Sequence, residues 1–155
     1  FFLILKYKIG YMNKVEYWSE KGFTKIADLY VSERLKQGVD VTFLINKDNW
    51  KKAPGVYLIC SKEGDVLKIG QSANIYHRIN TQYKCINNSG NIRIRKKIRD
   101  KYKSVQIYAL KTPKEEVSLI GYSFYMNYQK GLEEAMLHDY YNKVGNIPAL
   151  NMQRN

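Results

Sequence analysis

Two β-rich segments separated by one short turn constrain the fold of this chain more than any other feature. The segments Gly55–Cys60 and Leu67–Ser72 read GVYLIC and LKIGQS, and both are rich in residues that favour strands. Only Lys-Glu-Gly-Asp and Val66 separate them, with Gly64 placed in the turn. The pattern predicts a β-hairpin, around which the other elements must pack.

The rest of the sequence predicts helices and one further strand. Residues from about Glu16 to Lys36 are predicted to be helical, since apolar residues recur near helical spacing and Gly38 follows. Val39–Ile45 is predicted to be a strand or an extended arm. Downstream, the predictions are a helix over Ile75–Tyr83 capped by Ser72, a basic helix over Ile92–Tyr102, a strand over Ser104–Leu110, an irregular tyrosine-rich segment Lys111–Tyr128 and a helix over Gln129–Val144.

These elements predict an α+β fold: a small three-stranded antiparallel sheet flanked by helices, with an N-terminal helical arm. The polar segment Asn46–Pro54 ends in proline and is read as a boundary. We therefore expect an arm over residues 1–53 and a second unit over 54–155. Met12 is a plausible start, so residues 1–11 are either upstream sequence or a strand that caps the sheet, and both interpretations stay open.

The charge balance indicates a polyanionic partner. There are 26 Lys+Arg against 14 Asp+Glu in 155 residues, a formal net charge of +12. Nucleic acid is the first candidate and an anionic membrane surface the second, while solubility alone is the bland alternative. No segment is apolar and long enough to span a bilayer. The basic sequence IRIRKKIRDKYK has only isoleucines at weak spacing instead of a bulky apolar face, so no membrane partner is expected.

The cysteines match neither a disulfide framework nor a zinc site. Cys60 and Cys85 lack the C-x-x-C spacing, and His77 and His138 do not form an H-x-x-x-H pair. This pattern is typical of a reducing compartment, and we expect a cytoplasmic protein.

Four short motifs follow one another in a recognisable order. GVY ends at Tyr57, KIG spans Lys68 to Gly70, Arg78 lies eight residues later, and a glutamate lies in a late helix. In order and placement these motifs resemble the GIY-YIG nuclease superfamily over residues 54–151. The resemblance is to members with KIG in place of YIG, which include small stand-alone type II restriction endonucleases and phage-borne domains. It implies hydrolysis of DNA phosphodiester bonds by an activated water, with one Mg²⁺ or Mn²⁺ ion per active site.

The resemblance also implies roles for the motif residues. Tyr57 would position or deprotonate the attacking water, and Lys68 stands where the family has its second tyrosine. Alternation along the strands would place both side chains on one face of the sheet, where the ammonium group would lower the pKa of the phenol. Arg78 would clamp a phosphate oxygen. The alternatives are a core tyrosine, a solvated lysine and a surface arginine.

The metal would be held by a glutamate of the last helix. Glu133 shares a face with the apolar stripe and is preferred, whereas Glu134 lines up with His138 and is the alternative. One carboxylate suffices, because phosphate and water oxygens can complete the coordination of Mg²⁺. By resemblance, the phosphate or the active-site loop would be ordered by Gly70, Gln71 and Asn151.

A basic segment over residues 91–103 is the predicted DNA-binding surface. Its phosphate contacts are assigned to Arg93, Arg95, Lys96, Lys97 and Arg99, although a solvated helix face is the alternative. Three tyrosines nearby would stack on bases or simply pack: Tyr122, Tyr125 and Tyr128. We expect double-stranded DNA as the partner, and a homodimer because palindromic sites mirror two-fold symmetry. The competing hypothesis is a module of the same fold that binds nucleic acid without cleaving it.

Overall fold

One five-stranded antiparallel sheet organises the protein. The computed structural model describes residues 12–33, 39–82 and 92–151. The sheet contains β1 (Thr24–Val31), β2 (Val39–Phe43), β3 (Gly55–Cys60), β4 (Val66–Ser72) and β5 (Ser104–Lys111), in the spatial order β2-β1-β5-β3-β4. A separate two-stranded sheet pairs β6 (Glu116–Leu119) with β7 (Tyr122–Tyr125). β4 is therefore an edge strand of the large sheet.

Short helices and one long helix cover the sheet. They are α1 (Val15–Ser19), α2 (Lys47–Trp50), α3 (Ile75–His77), α4 (Ile92–Lys97) and α5 (Tyr128–Val144). α3 continues as a π-helical turn over Arg78–Gln82, and α4 as another over Ile98–Tyr102. α5 begins at the Asn127 cap and ends at Gly145, whose φ of 90° is left-handed, a conformation that glycine adopts readily.

Alternation along the strands builds one core on each face of the sheet. Tyr57 and Ile59 of β3 face α3, α4 and their π-helical turns, together with Ile75, Ile79 and Ile98. Val56 and Leu58 face α1 and α5, including Trp18, Met136 and Tyr140. Helices on both faces make the fold a three-layer α+β arrangement.

The predicted α+β class and antiparallel sheet are confirmed, but the sheet has five strands, not three. The helix predicted from Glu16 to Lys36 is wrong beyond α1, because residues 24–31 form strand β1. A β-bulge between Lys25 and Ala27 buries the two consecutive side chains of Ile26 and Ala27. The apolar residues of this strand therefore do not alternate strictly, and their spacing resembles that of a helix. Residues on both sides of the predicted 53/54 boundary share this sheet and its core.

Three other predictions need correction or fall outside the described residues. Lys111–Tyr128 is not irregular, because it contains the β6–β7 hairpin. The cap of α3 is Asn74, not Ser72, whose hydroxyl accepts a hydrogen bond from the Asn74 N–H at 3.0 Å. The alternatives for residues 1–11 and the assignment of Cys85 lie outside the part of the chain that is described. The hairpin β3–β4, strand β5 and helix α5 are confirmed.

Candidate active site

Tyr57 and Gly70 are directly paired on neighbouring strands, and their packing shapes the site. Opposite residues of an antiparallel ladder share a face, so Tyr57 lies over Gly70, and Lys68, paired with Ile59, faces the same side. A Cβ built on Gly70 would lie 2.5 Å from Cζ and 2.6 Å from the hydroxyl oxygen of Tyr57. The phenol ring of Tyr57 thus requires a glycine at position 70. Tyr57 itself is only 1% exposed.

Lys68 lies at the centre of a cluster of charges. Its side chain is half-buried, and burial lowers the pKa of Lys68 below its ordinary value. The carboxylate of Glu133 opposes this shift, whereas the guanidinium groups of Arg93 and Arg78 add to it. Three cations and one carboxylate, drawn from β4, the π-helical turn after α3, α4 and α5, therefore share one electrostatic environment.

A local π-helical turn places Arg78. Asn74 caps α3 through its side-chain oxygen, which accepts from the His77 N–H at 3.1 Å. Arg78 opens the π-helical turn that follows, and its N–H bonds the Asn74 carbonyl at 3.0 Å. Turns of this kind occur often at functional sites because they re-aim a side chain.

Helix α5 presents Glu133 rather than Glu134 to this cluster. Glu133 is half-buried on the face that carries Met136 and Tyr140, and it acts on Lys68, whereas Glu134 is exposed. Gln129, one turn earlier on the same face, is buried, and its Oε1 has no hydrogen-bond partner among the described residues. The sequence patterns above do not single out Gln129, although its spacing of four residues from Glu133 is a usable signal.

The segment that follows α5 lies along the edge of β4. The Leu150 N–H bonds the Leu67 carbonyl at 2.7 Å. The side chain of Asn151 accepts from the Ile69 N–H at 2.9 Å and donates to the Ile69 carbonyl at 2.8 Å, as a neighbouring strand would. Arg93 donates to the Leu150 carbonyl. Asn151 therefore orders the strand between Lys68 and Gly70.

The remaining predicted site residues are distributed differently. Gln71 pairs with Val56, and both lie on the face of the sheet opposite to that of Lys68. Arg95, assigned to the DNA-binding surface, is 5% exposed, so that assignment is wrong for its side chain in this structure. Lys96 and Lys97 are exposed, as expected. Arg99 is bonded to Asp100 at 2.9 Å, which offsets its charge.

The side chains of this site would bind one divalent cation weakly in the absence of substrate and more strongly when a substrate phosphate is bound. Among the described residues no three His, Cys, Asp or Glu side chains cluster as a metal site would require. Glu133 supplies one carboxylate, and its influence on the pKa of Lys68 indicates a cation near it, which disfavours a free metal ion there. A bound phosphate would reverse that balance and add oxygen ligands.

Cys60 does not contribute chemistry to the site. It is free and buried within β3, and burial raises its pKa to about 12. Glu16 and Asp65 act in the same direction. A thiol with such a pKa remains protonated and inert at neutral pH.

Solved nuclease structures resemble this one. A mutant of bacteriophage T4 EndoII is 18% identical over 87% of this chain and 99% of that chain, with a TM-score of 0.61. Restriction endonuclease HPY188I in complex with product DNA is 18% identical over 90% of this chain and 85% of that chain, with a TM-score of 0.49. No family model and no curated protein matches the chain. The first likeness shows that the chain has the fold of the phage protein.

Among the described residues, no helix is both long and apolar enough to cross a bilayer.

Proposed function

We propose that this protein is a metal-dependent DNA endonuclease of the GIY-YIG type, acting in restriction or in a phage or mobile element. The observation that carries the proposal is the placement of Tyr57, Lys68 and Gly70 on one face of the β3–β4 hairpin, and the charges of Arg78, Arg93 and Glu133, which influence the pKa of Lys68, support it. The fold of EndoII and the net charge of +12 support it.

The cations of the cluster would bind the scissile phosphate. Arg78 and Arg93 offer planar guanidinium groups that match phosphate oxygens, and Lys68 adds a point charge. Lys68 and Arg78 are half-buried, which strengthens their contacts because the local dielectric is lower than that of water. The same charges would stabilise the additional negative charge that develops on the phosphate during hydrolysis.

Glu133 is the residue that would hold Mg²⁺ or Mn²⁺. When bound, the ion would act as a Lewis acid on the phosphate and promote ionisation of a water molecule. The water oxygen would form a bond to phosphorus and lose a proton to solvent, while the bond from phosphorus to the leaving oxygen breaks and that oxygen takes a proton from solvent. Tyr57 is the proposed group that positions this water, and Gly70 keeps the phenol in place.

Double-stranded DNA is the proposed substrate. The exposed lysines Lys96 and Lys97 follow Arg93 along α4, so they would contact phosphates next to the scissile one. Two copies of the chain would place one active site on each strand of a two-fold symmetric sequence.

Two single substitutions in α5, compared side by side, test the proposal. Purified protein is incubated with supercoiled plasmid and Mg²⁺, with and without EDTA. Glu133→Gln is expected to lower the cleavage rate by about 100-fold or more, as loss of a transition-state contact does, while binding persists. Glu134→Gln, an equal change at an exposed neighbour, should cleave like the wild type. Equal activity of the two variants would remove Glu133 from the metal site.

One observation favours the alternative of a binding module without catalysis. The side chain of Tyr57 is 1% exposed, so water does not reach it freely. Tight, salt-sensitive DNA binding without product in Mg²⁺ or Mn²⁺, on single- or double-stranded DNA, would select this alternative.

A further inference from the structure

A short turn in front of β3 brings together exposed lysines that the candidate active site does not use. Residues 50–53 form this turn, which the Ala53 N–H closes by donating to the Trp50 carbonyl at 3.2 Å. Its two central residues, Lys51 and Lys52, are both exposed. Two further exposed lysines adjoin it and complete the set of turn lysines: Lys47, Lys51, Lys52 and Lys111.

The backbone of the turn favours glycine at the position that Lys52 occupies. Lys51 has a φ of −61° and a ψ of 122°, and Lys52 has a φ of 55°, which is the geometry of a type II turn. The third residue of such a turn needs a positive φ, which glycine or asparagine adopts at lower energy than lysine. Turn stability therefore does not explain a lysine here. Strained residues are concentrated at functional sites, which suggests that the charge of Lys52 is used.

Contacts with aromatic rings hold the other two turn lysines in place. The Nζ atom of Lys111 lies 4.7 Å from the centroid of the Trp50 ring. The Nζ atom of Lys47 lies 5.6 Å from the centroid of the Tyr76 ring. A cation over a ring keeps its full charge while its position is restrained, so both lysines remain available to an anion.

The carboxylates of this region do not cancel the charge of the turn. Segments 46–54 and 111–116 together contain five lysines and three carboxylates. Two of the carboxylates, Glu115 and Glu116, lie at the start of the β6–β7 hairpin, and the third is Asp48 in α2. Among the described residues, no ion pair joins a turn lysine to a carboxylate. The turn therefore carries a net positive charge, which attracts a polyanion.

The turn lies beside the candidate active site, at the end of β4. Gly55, which opens β3 directly after the turn, pairs with Ser72, the last residue of β4. Trp50 of the turn belongs to the same core cluster as Tyr57, so the turn packs on the face of the sheet that carries Tyr57 and Lys68. From Lys52 to Tyr57 the chain can span at most about 18 Å.

Helix α4 is attached at the opposite end of β4. Arg93 of α4 donates to the Leu150 carbonyl, and the Leu150 N–H bonds the carbonyl of Leu67, the second residue of the strand. Lys68 lies between the two attachments. The strand from Leu67 to Ser72 is about 17 Å long, which is the length of about five base pairs of a duplex. A DNA segment that follows β4 would meet cations at both ends.

We propose that the turn lysines form a second phosphate-binding surface, which contacts the DNA backbone on the other side of Lys68 from α4. The choice of DNA as the ligand rests on the proposed function. The charge of the turn alone would attract any polyanion, whereas its place at the end of β4 aligns it with the candidate active site. The two surfaces hold one DNA segment across the site and keep the scissile phosphate over Lys68.

DNA binding by the full chain in EDTA, measured by fluorescence anisotropy of a labelled duplex at several salt concentrations, tests this surface. A Lys51→Gln, Lys52→Gly variant is expected to lower the slope of log K against log salt by about 2, because two phosphate contacts are lost. Glycine suits the positive φ at position 52, so the Tm of the variant should not fall. Lys62→Gln, in the exposed turn between β3 and β4, is the control and should keep the wild-type slope.

A combined variant tests whether both surfaces hold the same duplex. Adding Lys96→Ala and Lys97→Ala to the turn variant should lower the slope by about 2 more. A turn variant with the wild-type slope would overturn the surface, as would a combined slope no lower than that of either pair alone or a wild type that binds no duplex. Cleavage is assayed separately with Mg²⁺ or Mn²⁺. A lowered slope in a protein that cuts no DNA would refute only the proposed function, whereas unchanged binding by the turn variant of an active enzyme would refute only the surface.

Discussion

At the residue scale, the contact between Gly70 and Tyr57 is a close steric constraint within the candidate site. The phenol ring occupies the space that any Cβ at position 70 would need. The glycine of the KIG motif and the tyrosine of the GVY motif therefore function as one packing unit. Lys68 lies two residues from Gly70 on the same face, where burial and the charges of Glu133, Arg93 and Arg78 set its pKa.

Gly70→Ala is expected to destabilise the protein by about 1–3 kcal/mol, because the new methyl group overlaps the Tyr57 ring. Gly131→Ala is the control: its Cβ would meet nothing within 4 Å, and alanine favours the interior of α5 by about 0.5–1 kcal/mol. Urea denaturation measures both changes. A Gly70→Ala variant as stable as the wild type would show that the ring moves aside without penalty.

Lys68→Met is expected to raise Tm at pH 7 and to abolish the proposed activity. The folded protein lowers the pKa of Lys68, so the unfolded chain keeps the proton to higher pH, toward the ordinary value of 10.5. Wild-type stability therefore rises with pH between the folded and unfolded pKa values. The advantage of the methionine variant should shrink over this range.

Thermal melts at several pH values test this expectation. Lys62→Met, in the exposed turn between β3 and β4, serves as the control and should show no comparable pH-dependent gain. A Lys68→Met gain that stays constant with pH would point to packing rather than to charge.

At the element scale, β4 depends on the C-terminal segment that completes its edge. An edge strand exposes unpaired N–H and C=O groups, and here the Asn151 side chain satisfies both groups of Ile69. Arg93 fastens the same segment from α4. The strand that carries Lys68 is thus held from both sides.

Asn151→Ala should cost about 1–2 kcal/mol, because two hydrogen bonds are removed at a half-buried site. Hydrogen exchange gives the specific readout: the Ile69 amide should exchange faster, whereas the Leu58 amide in the centre of the sheet should respond only to global stability. Asn146→Ala, at an exposed position beyond α5, is the control. Unchanged protection of Ile69 would contradict the edge contact.

At the scale of the whole molecule, fewer of the predicted DNA-binding cations are exposed and unpaired than the sequence predicted. Arg95 is buried and Arg99, in the turn after α4, is paired with Asp100, so the exposed cations of α4 are Arg93, Lys96 and Lys97. The affinity of a DNA interface on this helix would therefore fall less steeply with salt concentration than the five predicted phosphate contacts imply.

Replacing both lysines tests that interface. Lys96→Ala with Lys97→Ala should lower the slope of log K against log salt by about 2, because each lysine neutralises one phosphate. Lys143→Ala, whose ammonium group is paired with Asp139 at 3.1 Å, is the control and should leave the slope unchanged. Identical slopes for the double variant and the wild type would move the DNA to another surface.

The sequence by itself determined the elements whose signals are local. The β3–β4 hairpin, strand β5 and helix α5 were predictable, because alternation, turn glycines and an apolar stripe act over a few residues. The β6–β7 hairpin was missed, although Ile120-Gly121 between alternating apolar residues is a usable turn signal. The preference for Glu133 over Glu134 also came from helical periodicity.

Only the tertiary structure decided how distant segments meet. The bulge in β1 gave this strand an apolar spacing that resembles a helix. The position of β1 between β2 and β5 follows from strand pairings that are distant in sequence. The burial of Arg95 likewise depends on packing of the whole chain, as do the hydrogen bonds of Arg93 to the Leu150 carbonyl and of Asn151 to Ile69. Periodicity reports which face of an element is apolar, whereas the partner of that face is set by packing of the whole chain.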